Sequence, residues 1–265
     1  MCGRFTLTHR EARALAAELG VSADDLLGYK PRYNIAPTDD HWIVRMRYED
    51  RQVLPAKWGL INFWMTDRKQ AFKNINARAE TVRRSPAFRE AFASRRCVVP
   101  ADGFFEWTGP KEDRRPIWFH RPDGGLILFA GLYETWRPSP AEKERTFTII
   151  TTSPNALLEP VHNRMPVALE GEAVDDWLYA RQTPDSLMAR RLSRRHAGLG
   201  AGKFCEERRP RVPDRDAGVL SHSIRSETRS LKGRISHTPP HAVHRSEHLV
   251  MIQSGQPTSQ DVRYT

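Results

Sequence analysis

The sequence predicts an α+β domain whose core is mostly antiparallel β-sheet, barrel-like or built as two sheets, with a few short helices. Segments rich in Val, Ile, Phe and Thr recur between Pro and Gly turns, which is typical of strands. Helical periodicity is confined to brief stretches, and after about residue 195 apolar residues recur with neither period. Many strands with few short helices indicate a single domain of this class.

The first predicted element is a helix between Thr8 and Gly20. Thr8 is the expected N-cap, and Glu11 three residues later completes a capping box. Leu15 and Leu19 share one face, and Gly20 supplies a stop signal.

The strands follow from alternation and composition. Over residues 41–48, alternation places Trp42, Val44, Met46 and Tyr48 on one side. Further strands are predicted on the same grounds at residues 52–58, 96–100, 116–120, 126–132 and 145–152.

Two more helices are predicted. Ser85 is the expected cap of a short helix, with Pro86 at its first position. Phe88 and Phe92 then fall four residues apart, on its buried side. The last helix fits residues 171–180.

Composition bounds the possible partners. With 265 residues, 39% hydrophobic and 9% aromatic, the chain can bury a sizeable core. Lys and Arg number 42 against 32 Asp and Glu, so the formal charge is +10, which favours a polyanion, most commonly nucleic acid. Part of this excess lies towards the C-terminus.

Cysteine usage and hydropathy indicate the compartment. Cys2, Cys97 and Cys205 show no paired spacing, which argues against a disulfide framework or a zinc knuckle. No apolar run is long enough to span a membrane, and no signal peptide pattern precedes Cys2. We therefore expect a soluble, cytoplasmic protein in a reducing environment.

The predicted domain covers residues 2–195, and residues 196–265 form a basic tail rich in Ser, His and Pro. Its composition predicts a disordered or poorly packed segment. Six histidines lie here, but their spacing matches no metal-ligand pattern, so neither a metal nor another cofactor is predicted. They are His196, His222, His237, His241, His244 and His248.

Cys2 directly follows the initiator methionine. Both Cys2 and Gly3 are small, so removal of Met1 is expected, which leaves an amine and a thiol on adjacent carbons. Such an aminothiol condenses with an aldehyde to a Schiff base, and the thiol then closes a thiazolidine ring. Ordinary pKa values, about 7.7–8.0 for the amine and about 8.5 for the thiol, predict a usable fraction of neutral amine and thiolate. The structural alternative is a frayed terminus.

Three internal motifs each place one polar side chain amid apolar neighbours at the end of a regular element. Rigid scaffolds usually present catalytic groups at such places. Taken singly, each has a structural alternative: a helix cap, an ion-paired carboxylate and a hydrogen-bonded turn histidine. The side chains are Asn76, Glu106 and His162, in the segments NINARAET (74–81), GFFEW (103–107) and VHNRMP (161–166).

Together with the opening segment MCGRF (1–5), these motifs resemble the SRAP family, the SOS response-associated peptidases, also called abasic-site processing proteins. The resemblance extends to the segments PRYNIAPT (31–38), KWGL (57–60) and ITT (150–152). It covers roughly residues 2–180 and implies a single SRAP-type domain. The chain lacks the Pro-Val-Ser…Val-Asn segment with which family members usually end.

The resemblance implies that the protein senses abasic sites in single-stranded DNA and crosslinks to them through Cys2, shielding the lesion during repair. It implies that Asn76 positions Cys2 and the sugar, that Glu106 assists ring opening and proton transfer, and that His162 stabilises or protonates the open-sugar hydroxyl. A Schiff base also permits β-elimination, so weak lyase activity is expected. The family name implies a peptidase activity that would amount to removal of Met1.

The same resemblance implies the DNA contacts. Arg4, Arg78 and Arg164 match arginines that hold phosphates, and Trp64 matches a tryptophan that stacks on a base. The alternative for Trp64 is a core position. Asn34 is expected to line the same pocket. We expect a monomer with no membrane partner.

Two other classes remain open. N-terminal-nucleophile amidohydrolases, such as glutamine amidotransferases, also begin with cysteine, whose amine serves as the base for its own thiol. The basic charge and the motifs around Glu106 and His162 argue against this class. A non-catalytic single-strand-binding module would bind reversibly, with salt sensitivity and no adduct.

The proton chemistry of the two catalytic candidates can also be predicted. Glu106 lies among Phe104, Phe105 and Trp107, whose apolar bulk should raise the carboxyl pKa by desolvation. His162 should titrate near neutrality without further help. Two groups with different pKa values can share proton donation and acceptance.

Overall fold

The computed structural model describes residues 2–179 and 200–202. Among these residues, the helices are α1 (Ala12–Leu19), α2 (Arg89–Ser94) and α3 (Glu172–Tyr179), with 3₁₀ turns at Ala23–Leu26 and Arg68–Asn74. The strands are β1 (Phe5–Leu7), β2 (Arg32–Ile35), β3 (Asp40–Arg47), β4 (Asp50–Trp58), β5 (Asn76–Arg78), β6 (Arg96–Ala101), β7 (Gly103–Thr108), β8 (Arg115–His120), β9 (Ile127–Trp136), β10 (Glu144–Thr152), β11 (Met165–Pro166), β12 (Ala168–Leu169) and β13 (Gly200–Gly202).

The larger sheet closes into a five-stranded barrel. Its strands run in the order β10, β4, β3, β6 and β9, and β9 pairs back onto β10. Most neighbours are antiparallel, but β10 lies parallel to both β4 and β5. Closure removes the free edges within the ring. The prediction of a barrel-like, mostly antiparallel core is confirmed.

A second, five-stranded sheet has the order β13, β8, β7, β1 and β2, with antiparallel pairing throughout. Its strand β1 carries Phe5, whose ring lies edge-on to Trp58 at 5.0 Å and to Phe129 at 6.2 Å. These barrel residues are buried with Phe5 in one core, which also contains Cys2. The alternative of a frayed terminus is therefore wrong, since Cys2 is 0% exposed.

Helix α1 begins later than the sequence predicts. It starts at Ala12, and its N-cap, Glu11, makes no side-chain cap hydrogen bond, so the predicted capping box is wrong. Thr8 instead donates its hydroxyl to the Asp102 carboxylate at 2.6 Å. A hydrogen bond to an ionised carboxylate is stronger than the bond that a threonine hydroxyl makes with a backbone amide at the start of a helix. Gly20 ends the helix at φ 66°, as predicted.

Helix α2 also starts later than predicted. Ser85 and Pro86 lie in a turn before it, and α2 begins at Arg89. The Ser85 carbonyl accepts the Arg89 amide at 2.8 Å, which leads the chain into the helix. Phe88 and Phe92 are buried, as predicted.

The predicted strands are all present, with ends that differ by a few residues. The difference that matters is at Tyr48, which lies in the turn after β3 rather than in the strand. Its φ is 57° and its side chain is 87% exposed, so it does not extend the partly buried face that carries Trp42 and Met46.

The predicted helix at 171–180 is confirmed as α3. Three residues of the predicted tail, Gly200–Gly202, form β13, which pairs with β8 opposite His120. Disorder is therefore the wrong prediction for these three. The other residues predicted as tail, including its six histidines, lie outside the described residues. Within the described part of the chain, no helix is long and apolar enough to cross a membrane.

Candidate active site

The pairing of β1 with β7 places Cys2 near Glu106. In the β1–β7 ladder, Phe5 lies opposite Phe104. Because the strands are antiparallel, the residues before Phe5 run alongside those after Phe104. Cys2 is thereby brought close enough to Glu106 for the carboxylate charge to act on its thiol.

Asn76 holds the backbone of Cys2. Its strand β5 is fixed by parallel pairing with β10, in which Asn76 lies opposite Ile149. The Asn76 Nδ2 donates to the Cys2 carbonyl oxygen at 2.8 Å. Its Oδ1 is buried and has no hydrogen-bond partner among the described residues. This amide oxygen can therefore accept a hydrogen bond from a group that enters the site.

Glu106 is buried on β7, with 3% of its surface exposed. Desolvation raises the pKa of its carboxyl to about 7, against the opposing positive charge of the chain's amino terminus. The predicted rise is confirmed, and its apolar neighbours Phe104 and Phe105 are themselves buried. A carboxyl with this pKa is present in both protonation states near neutral pH, so it can both donate and accept a proton.

His162 faces Glu106 from a turn of helical type. Asn155 Oδ1 accepts the amides of Leu157 and Leu158 at 3.1 and 3.0 Å, and the His162 amide donates to the Leu158 carbonyl at 2.8 Å. The imidazole Nδ1 lies 4.0 Å from Glu106 Oε1. The turn thus presents the ring to the same pocket as the carboxyl.

The protonation of His162 differs from the prediction. Burial, and then the charge of the amino terminus, lower the pKa of the imidazole. The ring is therefore neutral at pH 7, and titration at an unperturbed value is the wrong expectation. Its Nδ1 lies 3.0 Å from the Arg164 amide nitrogen and 3.2 Å from the Arg164 carbonyl oxygen, so the backbone of Arg164 fixes the orientation of the ring.

The thiol of Cys2 also departs from the prediction. Burial, followed by the charge of Glu106, raises its pKa well above the ordinary value, although the amino terminus and the Arg4 carbonyl contact oppose this. A usable population of thiolate is therefore not present in this structure. Chemistry at Cys2 needs a base that takes the thiol proton as the bond forms.

Arg164, predicted to hold a phosphate, is engaged within the protein. Its guanidinium forms a bidentate ion pair with Glu80 at 2.8 and 2.9 Å and donates to the Thr151 carbonyl. The same pairing lowers the pKa of Glu80. Only 12% of the Arg164 side chain is exposed. The motif that contains Asn76 also contains Glu80, but sequence gave no reason to pair it with a segment 84 residues away.

The other two predicted phosphate contacts, Arg4 and Arg78, lie beside the residues that form the site. Arg4 donates to Asn34 Oδ1 at a long 3.5 Å, which joins β1 to β2. Arg78 is exposed, two residues after Asn76 on β5. Arg4 therefore lies between Cys2 and the start of β1, and Arg78 lies on the same strand as Asn76.

Trp64 is displayed at the surface. It is 45% exposed, so the core alternative is wrong, and it packs edge-on against Phe63 with ring centres 4.9 Å apart. The next residue, Met65, accepts the Trp136 indole N–H at 2.6 Å, which anchors the loop to the end of β9. Phe63, 57% exposed, was not predicted, although two adjacent aromatics in a loop are a usable signal.

Metal ligation finds no support in the described part of the chain, where no three His, Cys, Asp or Glu side chains are grouped to hold an ion. The groups brought together in the site are the Cys2 thiol, an amide, a carboxyl and an imidazole. These groups can bind a carbonyl compound, move protons and form a covalent bond to Cys2.

Comparison with known proteins places the chain among relatives. The profile of the family described as SOS response associated peptidase (SRAP) matches residues 1–199. The abasic site processing protein YoqW of Bacillus subtilis is 40% identical over 195 residues, which are 71% of this chain and 85% of that protein. The abasic site processing protein HMCES of Rattus norvegicus is 29% identical over 189 residues, 57% and 54% of the two chains.

A crystal structure of a protein from Bacteroides thetaiotaomicron has a similar fold. The TM-score is 0.67 at 26% identity, over 78% of this chain and 93% of that one. The barrel and its companion sheet therefore have a counterpart among solved structures.

Replacing Glu106 with Gln should stabilise the protein at high pH. The carboxyl has a pKa of about 7 in the folded protein against 4.5 ordinarily, so the folded state keeps a proton over an interval in which the unfolded chain has lost it. The free energy of unfolding of the wild type should therefore fall between about pH 4.5 and about pH 7. This fall in the free energy of unfolding is on the order of 3 kcal/mol, and Glu106→Gln should not show it.

Urea unfolding at about pH 4 and about pH 8 measures this difference. Glu80→Gln is the matched control with the opposite sign, because Arg164 lowers the pKa of Glu80 and ionisation there is stabilising. If the stability of the wild type and of Glu106→Gln depended on pH in the same way, the raised pKa of the Glu106 carboxyl would be contradicted.

Proposed function

The chain belongs to the SOS response associated peptidase (SRAP) family, and on that premise we propose that it recognises abasic sites in single-stranded DNA and captures them covalently through Cys2. The environment of Cys2 supports the proposal. The cysteine at position 2 is fully buried, its carbonyl is held by Asn76, and it lies beside Glu106, a carboxyl with a pKa of about 7. Curated relatives bear the name abasic site processing protein.

The first step joins the Cys2 amine to the sugar aldehyde. Removal of Met1 frees the amine, which attacks C1′ of the ring-opened sugar. The C–N bond forms, and the oxygen at C1′ leaves as water to give a Schiff base. Glu106, when protonated, donates the proton that this oxygen needs. Neutral His162 carries one N–H, which donates a hydrogen bond to the hydroxyl released by ring opening.

The second step closes the ring. The Cys2 sulfur adds to the Schiff-base carbon, and the thiol proton passes through the Glu106 carboxylate to the nitrogen. The product is a thiazolidine, and one water has been lost overall. Because burial keeps the thiol protonated, this step depends on a neighbouring base. Elimination from the Schiff base, before ring closure, would give the weak lyase activity.

Four accessible side chains suit single-stranded DNA. Arg4 and Arg78 can track phosphates, and the exposed pair Phe63 and Trp64 can stack on a base beside the lesion. Arg164, held by Glu80, is better placed to orient His162 through its own backbone than to move freely to a phosphate. We propose that it shapes the pocket, and that it meets DNA only from this fixed position.

Changing Cys2 should separate the two steps of the reaction. Cys2→Ala should abolish the thiazolidine crosslink to abasic single-stranded DNA on a denaturing gel, because no thiol is left to close the ring. Cys2→Ser should still give a Schiff base that borohydride traps. Cys97→Ala removes another fully buried thiol and is the control that should crosslink normally. A Cys2→Ala protein that crosslinks like the wild type would refute the mechanism, and binding without any adduct would support the non-catalytic module.

Removing either proton-transfer group should slow the reaction. Glu106→Gln and His162→Ala should each lower the single-turnover rate of crosslinking by about 10²–10⁴-fold, the usual range for acid–base assistance. The wild-type rate should change through about pH 7, where the Glu106 carboxyl titrates, and Glu106→Gln should lack this inflection. Noncovalent affinity should stay close to that of the wild type. Wild-type rates in both variants would leave these residues with structural roles only.

Trp64→Ala should weaken binding to single-stranded DNA. Loss of one stacked base costs about 1–3 kcal/mol, and affinity should also fall as salt rises because arginines displace counterions. Tyr48→Ala removes a still more exposed aromatic at the β3–β4 turn and serves as the control. Fluorescence anisotropy with single-stranded and duplex abasic DNA measures both effects. Equal affinity for the fully paired duplex would argue against the proposed substrate.

A further inference from the structure

A buried carboxylate ties the N-terminal strand to the barrel. Asp102, between β6 and β7, is 9% exposed. It accepts hydrogen bonds from the Thr6 hydroxyl at 2.5 Å, the Thr8 hydroxyl at 2.6 Å and the Thr8 amide. Each donor belongs to β1 or the residue after it. Nothing in the chemistry described above uses this carboxylate.

The surrounding backbone and side chains complete the attachment. The Asp102 amide donates to the Thr6 carbonyl at 2.9 Å, and the Trp118 indole donates to the Thr6 hydroxyl at 3.2 Å. Gly103 makes room for this indole, because a Cβ there would lie 2.1 Å from Trp118 Nε1. Asp102, Thr6, Thr8 and Trp118 form one connected unit, which we call the β1 clamp.

The β1 clamp bears directly on Cys2. Strand β1 has only three residues, and chain termini fray unless they are tied down. Thr6 lies opposite Gly103 in the ladder, and a slip of one residue would turn every side chain of the strand to the other face. The clamp acts four residues from Cys2, on the strand whose register determines how Cys2 meets Glu106.

We propose that Asp102 is a positioning residue for the reaction at Cys2. By holding Thr6 and Thr8, it sets the register of β1 against β7 and so keeps the Cys2 thiol beside Glu106. The role rests on the proposed function, because it concerns the rate of that reaction. Asp102 touches neither the DNA nor the reacting atoms.

The negative charge and the two acceptor oxygens are both required. Three donors converge on the carboxylate, and Asn at this position would turn an NH₂ group towards one of them. Asp102→Asn keeps the size of the side chain while it breaks the clamp. Thr8→Val removes one hydroxyl donor in a similar shape, and Thr8→Ser retains it.

Two readouts test the proposal. In the single-turnover crosslinking assay, Asp102→Asn and Thr8→Val should slow the reaction tenfold or more with unchanged DNA affinity, and Thr8→Ser should stay near the wild type. Asp102→Asn should also lose the rate inflection near pH 7, because Cys2 is displaced from Glu106. Without DNA, alkylation of Cys2, followed by mass spectrometry of the N-terminal peptide, should be faster in Asp102→Asn because the thiol becomes accessible.

A matched control separates positioning from stability. Trp177→Phe removes the buried hydrogen bond that the Trp177 indole, on α3, donates to the Cys97 carbonyl, on β6, at 2.9 Å. Neither residue belongs to β1. It should lower the melting temperature and leave the crosslinking rate of the folded protein unchanged. If Asp102→Asn does not fold, the Thr8→Val and Thr8→Ser pair provides the same comparison.

A double-mutant cycle of Asp102→Asn with Glu106→Gln decides whether Asp102 acts through the Cys2–Glu106 contact. The double variant should be little slower than Glu106→Gln alone. Fully multiplicative effects, or wild-type rate and alkylation in Asp102→Asn, would overturn the proposal. A wild-type protein that forms no adduct would instead overturn the proposed function, and the alkylation result would still test the β1 clamp.

Discussion

The pairing of β1 with β7 is the constraint on which the candidate site depends. Residues near a chain terminus fray unless they are tied down, because the chain holds them from one side only. Cys2 must therefore be held by contacts with its neighbours. Here the ladder places Phe5 opposite Phe104, the Phe5 ring packs on Trp58 of the barrel, and Asn76 holds the Cys2 carbonyl. The barrel thus serves as a rigid support that fixes the position of Cys2.

Burial, which this arrangement requires, determines the proton chemistry. Removing water raises the pKa of both the Cys2 thiol and the Glu106 carboxyl and lowers that of the His162 imidazole. The thiol and imidazole become neutral, and the carboxyl becomes the group that titrates near pH 7. Burial therefore accounts for the protonation states of all three groups.

Much of this could be predicted from sequence, because strands, Gly stops and motif residues have local signatures. The rise in the pKa of Glu106 followed from its apolar neighbours in the chain. The contacts that could not be predicted involve partners distant in sequence: Thr8 bonds to Asp102, 94 residues away, and Arg164 to Glu80, 84 residues away. The prediction of an ordinary pKa for the Cys2 thiol was wrong for the same reason, because the burial of the thiol is created by the fold and not by adjacent residues.

The central claim is that Cys2 itself forms the covalent bond. Its most direct test is intact and peptide-level mass spectrometry of the protein after incubation with an abasic single-stranded oligonucleotide. The expected product is an adduct with the summed mass of protein and DNA minus one water, located on the N-terminal Cys2 peptide and stable without reduction. An adduct on a lysine, or no covalent product with a fully processed terminus, would contradict it.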